Sequence, residues 1–450
     1  MPSRSPETTP DPEPENRYRD FSIQVPEFYN FGYDVVDSWA SHEPEKTALF
    51  WVNQQGEERQ YSFQDLKIES DMAARLLHDI GISKGDRVFI MLPRIPEWWI
   101  LVIALIKLGA VYTPAPTLLT PHDISYRLRI GGFALVITDH KNALKVEEAV
   151  SEESFRLECM VVDGKIPGWI SYPANRDRLS SLAVRAMPAV ETRSSDPLLI
   201  FFTSGTTGNP KMVLHDHSYP LGHIVTARLW QDLKFSDFHF TIADTGWAKS
   251  AWGSLFGQWI EGAAVFVYDI RGKFDPAEIP PILEKYAITS FCCPPTIYRM
   301  LILLDLEAFD LSSLRHCVSA GEPLNPEVIR VWKEKTGLSI YEGYGQTETV
   351  LCIGAFPGRE CPPGSMGKPA PGWCIELHDR HGSPVGVNRE GRIAIALDPR
   401  PVGLFAGYVG NEAANRKSFV RGWYYTDDKA AIDEDGSFWF IGRDDDVIKA

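Results

Sequence analysis

The chain has 450 residues, of which 44% are hydrophobic, 23% charged and 12% aromatic, with 35 glycines and 33 prolines. These are globular proportions, and they exclude a disordered chain, a collagen-like repeat and a small disulfide scaffold; length alone suggests roughly two to three domains. A net charge of −15 argues against a nucleic-acid or anionic-membrane binder, but not against a small anionic ligand held by local amides or one lysine.

Residues 1–30 begin MPSRSPETTPDPEPEN, acidic and Pro-rich, and are expected to be a disordered tail; an Arg-rich transit peptide has the opposite composition. From about Phe31 strands and helices alternate, which implies an α/β fold with a largely parallel sheet covered by helices. Residues 31–190 are expected as a first αβ subdomain. There Ser62 and Asp65 read as a capping pair opening a helix whose apolar positions Leu66, Ala73, Leu76, Leu77 and Ile80 recur at helical spacing until Gly81. Gly85–Leu92 reads as a buried strand. Pro96 then opens an apolar helix; its run Trp98–Ile106, stopped by Lys107, is about half the length that spans a bilayer, and no transmembrane segment is expected. Strand-like runs follow at Ala134–Asp139 and Cys159–Asp163.

Weak periodicity over Ser171–Ser195 leads into a second αβ subdomain, expected over 191–355, whose first strand is the apolar run Asp196–Phe202. Residues 356–441 are rich in Gly, Pro and short strand-like pieces such as Gly391–Leu397, and read as a small β-rich subdomain. The last residues, 442–450, stop in mid-motif. The seven cysteines are odd in number and irregularly spaced, with no C-x-x-C. They are expected as free, mostly buried thiols of a reducing compartment, without a zinc site. The expected location is cytoplasmic, with organellar import left open.

The densest chemistry lies in TSGTTGNPK, Thr203–Lys211. Hydroxyls of Thr203, Ser204, Thr206 and Thr207, the glycines Gly205 and Gly208 and the charge of Lys211 follow a core strand directly. Glycines allow close backbone approach, and hydroxyls and amides donate, which suits a polyphosphate. The spacing is not that of G-x-x-x-x-G-K-[ST], because Pro210 stands where the second Gly is required.

This segment resembles the phosphate loop of the adenylate-forming (AMP-binding) superfamily, which contains acyl-CoA synthetases, adenylation domains of peptide synthetases and beetle luciferases. Three further segments match in the family's order. YEGYGQTE, Tyr341–Glu348, resembles Y-G-x-T-E. The resemblance implies that Tyr344 packs on adenine, Thr347 contacts phosphate and acyl carboxylate, and Glu348 holds Mg²⁺; Glu342, Gly343, Gly345 and Gln346 join the nucleotide site. YYTDD, Tyr424–Asp428, resembles Y-x-T-G-D, which makes Asp428 the ribose acceptor and puts Asp427 where the family usually has Gly. GRDDDVIK, Gly442–Lys449, resembles the hinge motif, with Arg443 on ribose and phosphate and Asp445 as pivot. Two weaker matches are the adenine turn Ser319–Pro323, bringing in Gly321, Glu322 and Pro323, and the segment Ala243–Trp247. Trp247 is expected either to gate the acyl pocket or to sit in the core.

The resemblance implies a large adenylate-forming domain of two stacked αβ subdomains plus a small β-rich subdomain, with ligands bound where they meet. The activity implied is that of an AMP-forming acid–thiol ligase, with ATP, Mg²⁺, coenzyme A and a small carboxylic acid as partners; Lys211, Thr347 and Glu348 are the expected catalytic residues. Gly345 replaces the bulky residue of acetate-restricted relatives, which is expected to open volume for a medium-chain acid. Aryl acids such as benzoate remain open. In the family a further C-terminal domain supplies a lysine that completes adenylation. Residues 442–450 are expected to be its hinge stub, the domain being absent and activity impaired to that extent. The alternative is a nucleotide- and acyl-binding protein without efficient ligase activity. Oligomeric state is left open.

Overall fold

The computed structural model describes residues 18, 21–153, 157–180, 189–203 and 209–444. Ser204, Gly205, Thr206, Thr207 and Gly208 of the phosphate loop, and Asp445, lie outside the described residues.

Local signals place the helices. Ser62 and Asp65 form a reciprocal capping box at the start of helix Phe63–Asp79, and Thr120 with Asp123 does the same for Pro121–Gly131. Each box satisfies amides that the first helical turn leaves without intrahelical partners. Pro96 opens helix Pro96–Leu108, and Gly109, at φ 67°, ends it. This helix is apolar all round and buried along its length, as expected of a helix packed on every side. Trp99 Nε1 donates to Ser254 O at 2.6 Å, fixing it against the following half of the chain.

The strands form three sheets. The eight-stranded sheet has the order Gly407–Tyr408, Lys211–Asp216, Pro197–Thr203, Val111–Pro114, Arg87–Met91, Leu135–Thr138, Glu158–Val161, Ile170–Ser171. The nine-stranded sheet has a parallel centre of Ile340–Tyr344, His316–Ala320, Ser290–Cys292, Phe238–Thr241, Ala264–Asp269 and Thr47–Asn53. A five-stranded antiparallel sheet gathers Ile375–His378, Gly391–Ala396, Trp423–Ile432, Phe419–Val420 and Phe438–Arg443. The α/β class with a small β-rich part is therefore observed.

Sheet membership does not follow the expected boundaries along the chain. Strand Thr47–Asn53, from the expected first subdomain, pairs in parallel with Ala264–Asp269 of the second. The phosphate-loop strands Pro197–Thr203 and Lys211–Asp216, expected in the second, complete the sheet of residues 87–171. The expected tail also ends earlier than residue 30. Tyr29 is buried, Phe28 bridges Arg193, and Ser194 Oγ donates to Pro26 O at 2.6 Å. All seven cysteines are free, and five of them are buried.

Candidate active site

The three sheets meet around a cavity of about 1000 Å³. Its floor is built from the carboxyl ends of four parallel strands. Ile242 and Ala243 follow Phe238–Thr241, Pro294 follows Ser290–Cys292, Gly321–Pro323 follow His316–Ala320, and Gly343–Glu348 end or follow Ile340–Tyr344. Open parallel sheets bind ligands at this end, because the strand-to-helix loops open there.

The phosphate-loop strands pair Thr203 with Lys211, so both stand at the base of the loop and line the cavity. Strand Gly407–Tyr408 pairs with Leu214 and Val213 and sets the Tyr408 ring 4.8 Å from Lys211 Nζ. Tyr408 Oη donates to Glu348 Oε1 at 2.8 Å. Lys211, Tyr408 and Glu348 thus form one cluster. Burial raises the Glu348 carboxyl, while the Tyr408 hydrogen bond and the Lys211 charge oppose that rise. Thr347 is fixed through its backbone: His215 Nε2 donates to Thr347 O at 2.7 Å. Burial pushes His215 down to about 3, so the ring is neutral and carries its proton on Nε2.

Tyr344 Oη and Gln346 Nε2 both donate to Asp428 Oδ2, at 2.6 and 2.7 Å. Gln346 also donates to Thr426 O and accepts from Tyr424 Oη. Burial raises Asp428, with the Tyr344 hydrogen bond and the Arg443 charge opposing. Asp428 and Arg443 are register partners on adjacent strands. The YEGYGQTE and YYTDD segments, far apart in sequence, are therefore one hydrogen-bonded unit.

Asp427 has φ 61°, a left-handed conformation that suits the Gly usual at this position, and its carboxylate pairs with Lys417 at 3.3 Å. Asp427→Gly is expected to relieve this conformation and to remove a negative charge from the cavity wall. ATP affinity should rise about two- to fivefold, the scale of one unit charge screened by water over several ångströms. Isothermal titration with ATP checks this; weaker binding would show that Asp427 itself holds the nucleotide.

Glu342 is 5% exposed. Its Oε1 accepts from Leu324 N at 3.1 Å, and its Oε2 has no hydrogen-bond partner among the described residues. Burial raises its carboxyl to about 7. Between the ordinary value of 4.5 and about 7 the folded protein keeps a proton that the unfolded chain releases. Stability is therefore lost as pH rises through this window, on the order of 3 kcal/mol in all, and is level above it. Glu342→Gln is expected to remove this slope. Thermal unfolding at pH 5 and pH 8 should show the wild type losing a few degrees more than the variant; parallel curves would contradict it.

Trp247 is 49% exposed and lines the cavity, so its core placement is not observed. Gly345 lines the cavity too, but the volume expected beside it is not free. A Cβ there would stand 2.3 Å from Trp252 Cη2 and 2.6 Å from Val350 O. The indole of Trp252, supplied by helix Ala248–Gly253, fills that space. Among the lining residues, sequence reading missed Trp252, Tyr408, Lys249, Asp244 and Arg94. Arg94 Nε donates to Ala243 O at 2.8 Å, and Gly246 N donates to Asp244 Oδ1 at 2.9 Å. Lys249 and Asp244 lie within or beside the recognised segment Ala243–Trp247; Tyr408 has no local signal.

The AMP-binding enzyme family matches residues 36–409. The chain belongs to this family. It is 42% identical over 443 residues to the acyl-coenzyme A synthetase ACSM3, mitochondrial, of Homo sapiens, covering 96% of this chain and 75% of that protein. It is 41% identical to human ACSM4, mitochondrial, covering 94% of this chain and 74% of that protein. A crystal structure of a Brucella canis acyl-CoA synthetase superposes with a TM-score of 0.87 at 29% identity, covering 96% of this chain and 80% of that one. The anthranilate CoA ligase AuaEII, in complex with anthranoyl-AMP, superposes at 0.86 with 28% identity, covering 95% and 80%. The AMP-forming acid–thiol ligase class rests on these matches, and the chain has the fold of these AMP-binding ligases. Both human relatives are named mitochondrial, which differs from the cytoplasmic location expected above. No helix among the described residues is long and apolar enough to cross a membrane.

Proposed function

We propose that this AMP-binding enzyme activates a medium-chain carboxylic acid as its acyl-adenylate and passes the acyl group to coenzyme A. In the first step a carboxylate oxygen attacks the α-phosphorus of ATP, the bond to the β-phosphate breaks and pyrophosphate leaves. In the second the CoA thiol attacks the acyl carbonyl and AMP leaves. The supporting observation is the layout of one continuous cavity. A cation–carboxylate cluster (Lys211, Glu348) stands at the base of the phosphate loop, and a carboxylate–tyrosine unit (Asp428, Tyr344) lines the same cavity.

Asp428 would accept from the ribose, since both protein donors use Oδ2. Tyr344 and Gln346 hold its carboxylate in place beforehand, so orientation costs little on binding. Lys211 would pair with phosphate oxygens, and its contact with the Tyr408 ring keeps it beside Glu348. No group of three or more metal-ligating side chains occurs among the described residues. Glu348 alone fits a Mg²⁺ that brings its other ligands as phosphate oxygens and water. Held by Glu348, it would supply positive charge to offset that of the departing pyrophosphate. The wall of Trp247, Ala248, Trp252 and Pro294 would receive the acyl chain, each buried methylene contributing about 0.8 kcal/mol.

Acid- and CoA-dependent AMP release, measured over straight-chain acids from acetate to dodecanoate and with benzoate, tests this reading. A maximum at intermediate length is expected. A maximum at acetate or at benzoate would overturn the medium-chain assignment, and ATP binding without AMP release from any acid would overturn acid activation.

A further inference from the structure

Helix Ala248–Gly253 carries Lys249 into the cavity wall between Trp247 and Trp252. Its amine donates to the Ala320 carbonyl, and a Cβ on Gly321 would stand 3.1 Å from Nζ. An ammonium has three donors, and Ala320 O is the one hydrogen-bond acceptor that Lys249 finds among the described residues. It forms no ion pair among them. The acid that acts on it, Glu322, is about half exposed and pairs with Arg299 at 3.2 Å. Burial pushes the Cys292 and Cys293 thiols up, so they are neutral and supply no counter-charge. The same burial lowers the Lys249 ammonium.

A cation desolvated without a partner is costly, and the cost is offset when a ligand supplies the missing acceptor. Lys211 stands with Tyr408 and Glu348, whereas Lys249 contacts Ala320 and Gly321. The cavity lining that includes Lys249 also carries the apolar residues Trp247, Ala248, Trp252 and Pro294, together with the charged side chains Arg94, Asp244 and Glu322.

We propose that Lys249 is a specificity-determining residue that donates to an acceptor oxygen carried on the chain of the acid substrate, so that oxygenated acids are preferred over plain alkyl acids of the same length. This rests on the acid-activating reading above and names the substrate class within it. A hydroxyl, an oxo group and a second carboxylate share the required chemistry.

The test compares kcat/KM for hexanoate with 3-hydroxyhexanoate, 5-oxohexanoate and hexanedioate, using acid-dependent AMP release by the wild type, Lys249→Met and Lys249→Arg. The wild type should favour at least one oxygenated acid about 10- to 100-fold, mainly through KM, the scale of a charge-assisted hydrogen bond. Lys249→Met should abolish that ratio and Lys249→Arg should retain part of it. Equal ratios in wild type and Lys249→Met would overturn the proposal. So would a wild type that prefers hexanoate to all three partners, a result that depends on no variant folding. AMP release from none of the acids would instead overturn acid activation, and the proposal with it.

Discussion

Glu348→Gln is expected to lower acid-dependent AMP release about 100- to 1000-fold while leaving the fold intact. The substitution keeps the shape and still accepts from Tyr408 Oη, so the 2.8 Å hydrogen bond survives. What disappears is the negative charge, in a buried position beside Lys211. Groups that stabilise charge developing in a water-poor site contribute about 3–4 kcal/mol each to the transition state, which sets the expected loss. Lys211→Ala should fall in the same range. The double variant should lose far less than the product of the two, because the residues act as one cluster. The measurement is kcat for AMP release at saturating ATP and Mg²⁺, with ATP affinity measured in parallel. A Glu348→Gln enzyme within tenfold of wild type would show that this carboxylate is not part of the reacting centre.

Gly345→Ala is expected to destabilise the protein by about 1–3 kcal/mol, the usual cost of overpacking a filled core site. The added Cβ meets the Trp252 ring at 2.3 Å and the Val350 carbonyl at 2.6 Å. The ring has some freedom to move and the backbone has little. Trp252→Leu should therefore recover part of the loss but not all of it, a coupling of about 1 kcal/mol in a double-mutant cycle. Trp252→Leu alone should widen the acyl wall and move the preferred acid to longer chains. Chemical denaturation of the four proteins gives the coupling, and AMP release over the acid series gives the shift. Additive stabilities would mean that Trp252 does not occupy the space beside Gly345.

The motif residues are legible in the sequence because their signals are local. The capping pair Ser62–Asp65, the apolar run Asp196–Phe202 and the clustered donors before Lys211 each need only a short window. Strand pairing is different in kind. Alternation of strands and helices is readable from about Phe31, but the parallel pairing of Thr47–Asn53 with Ala264–Asp269 spans more than two hundred residues. The same non-locality hides Tyr408, which reaches Glu348 only because its short strand pairs with Lys211–Asp216. At Gly345 the residue type is visible while the neighbour that fills its space is not. Lys249 carries no signal of its own in the sequence, and only the packing of its helix shows a cation turned inward.

The most direct test of acid activation through an adenylate is the fate of carboxylate oxygen. The protein is given an acid it turns over, labelled with ¹⁸O in both carboxylate positions, together with ATP, Mg²⁺ and CoA, and the released AMP is weighed by mass spectrometry. Attack of the carboxylate on the α-phosphorus predicts one ¹⁸O in AMP per acyl-CoA formed and none in pyrophosphate. Acyl-CoA formed with unlabelled AMP, or with the label in inorganic phosphate, would contradict the adenylate route.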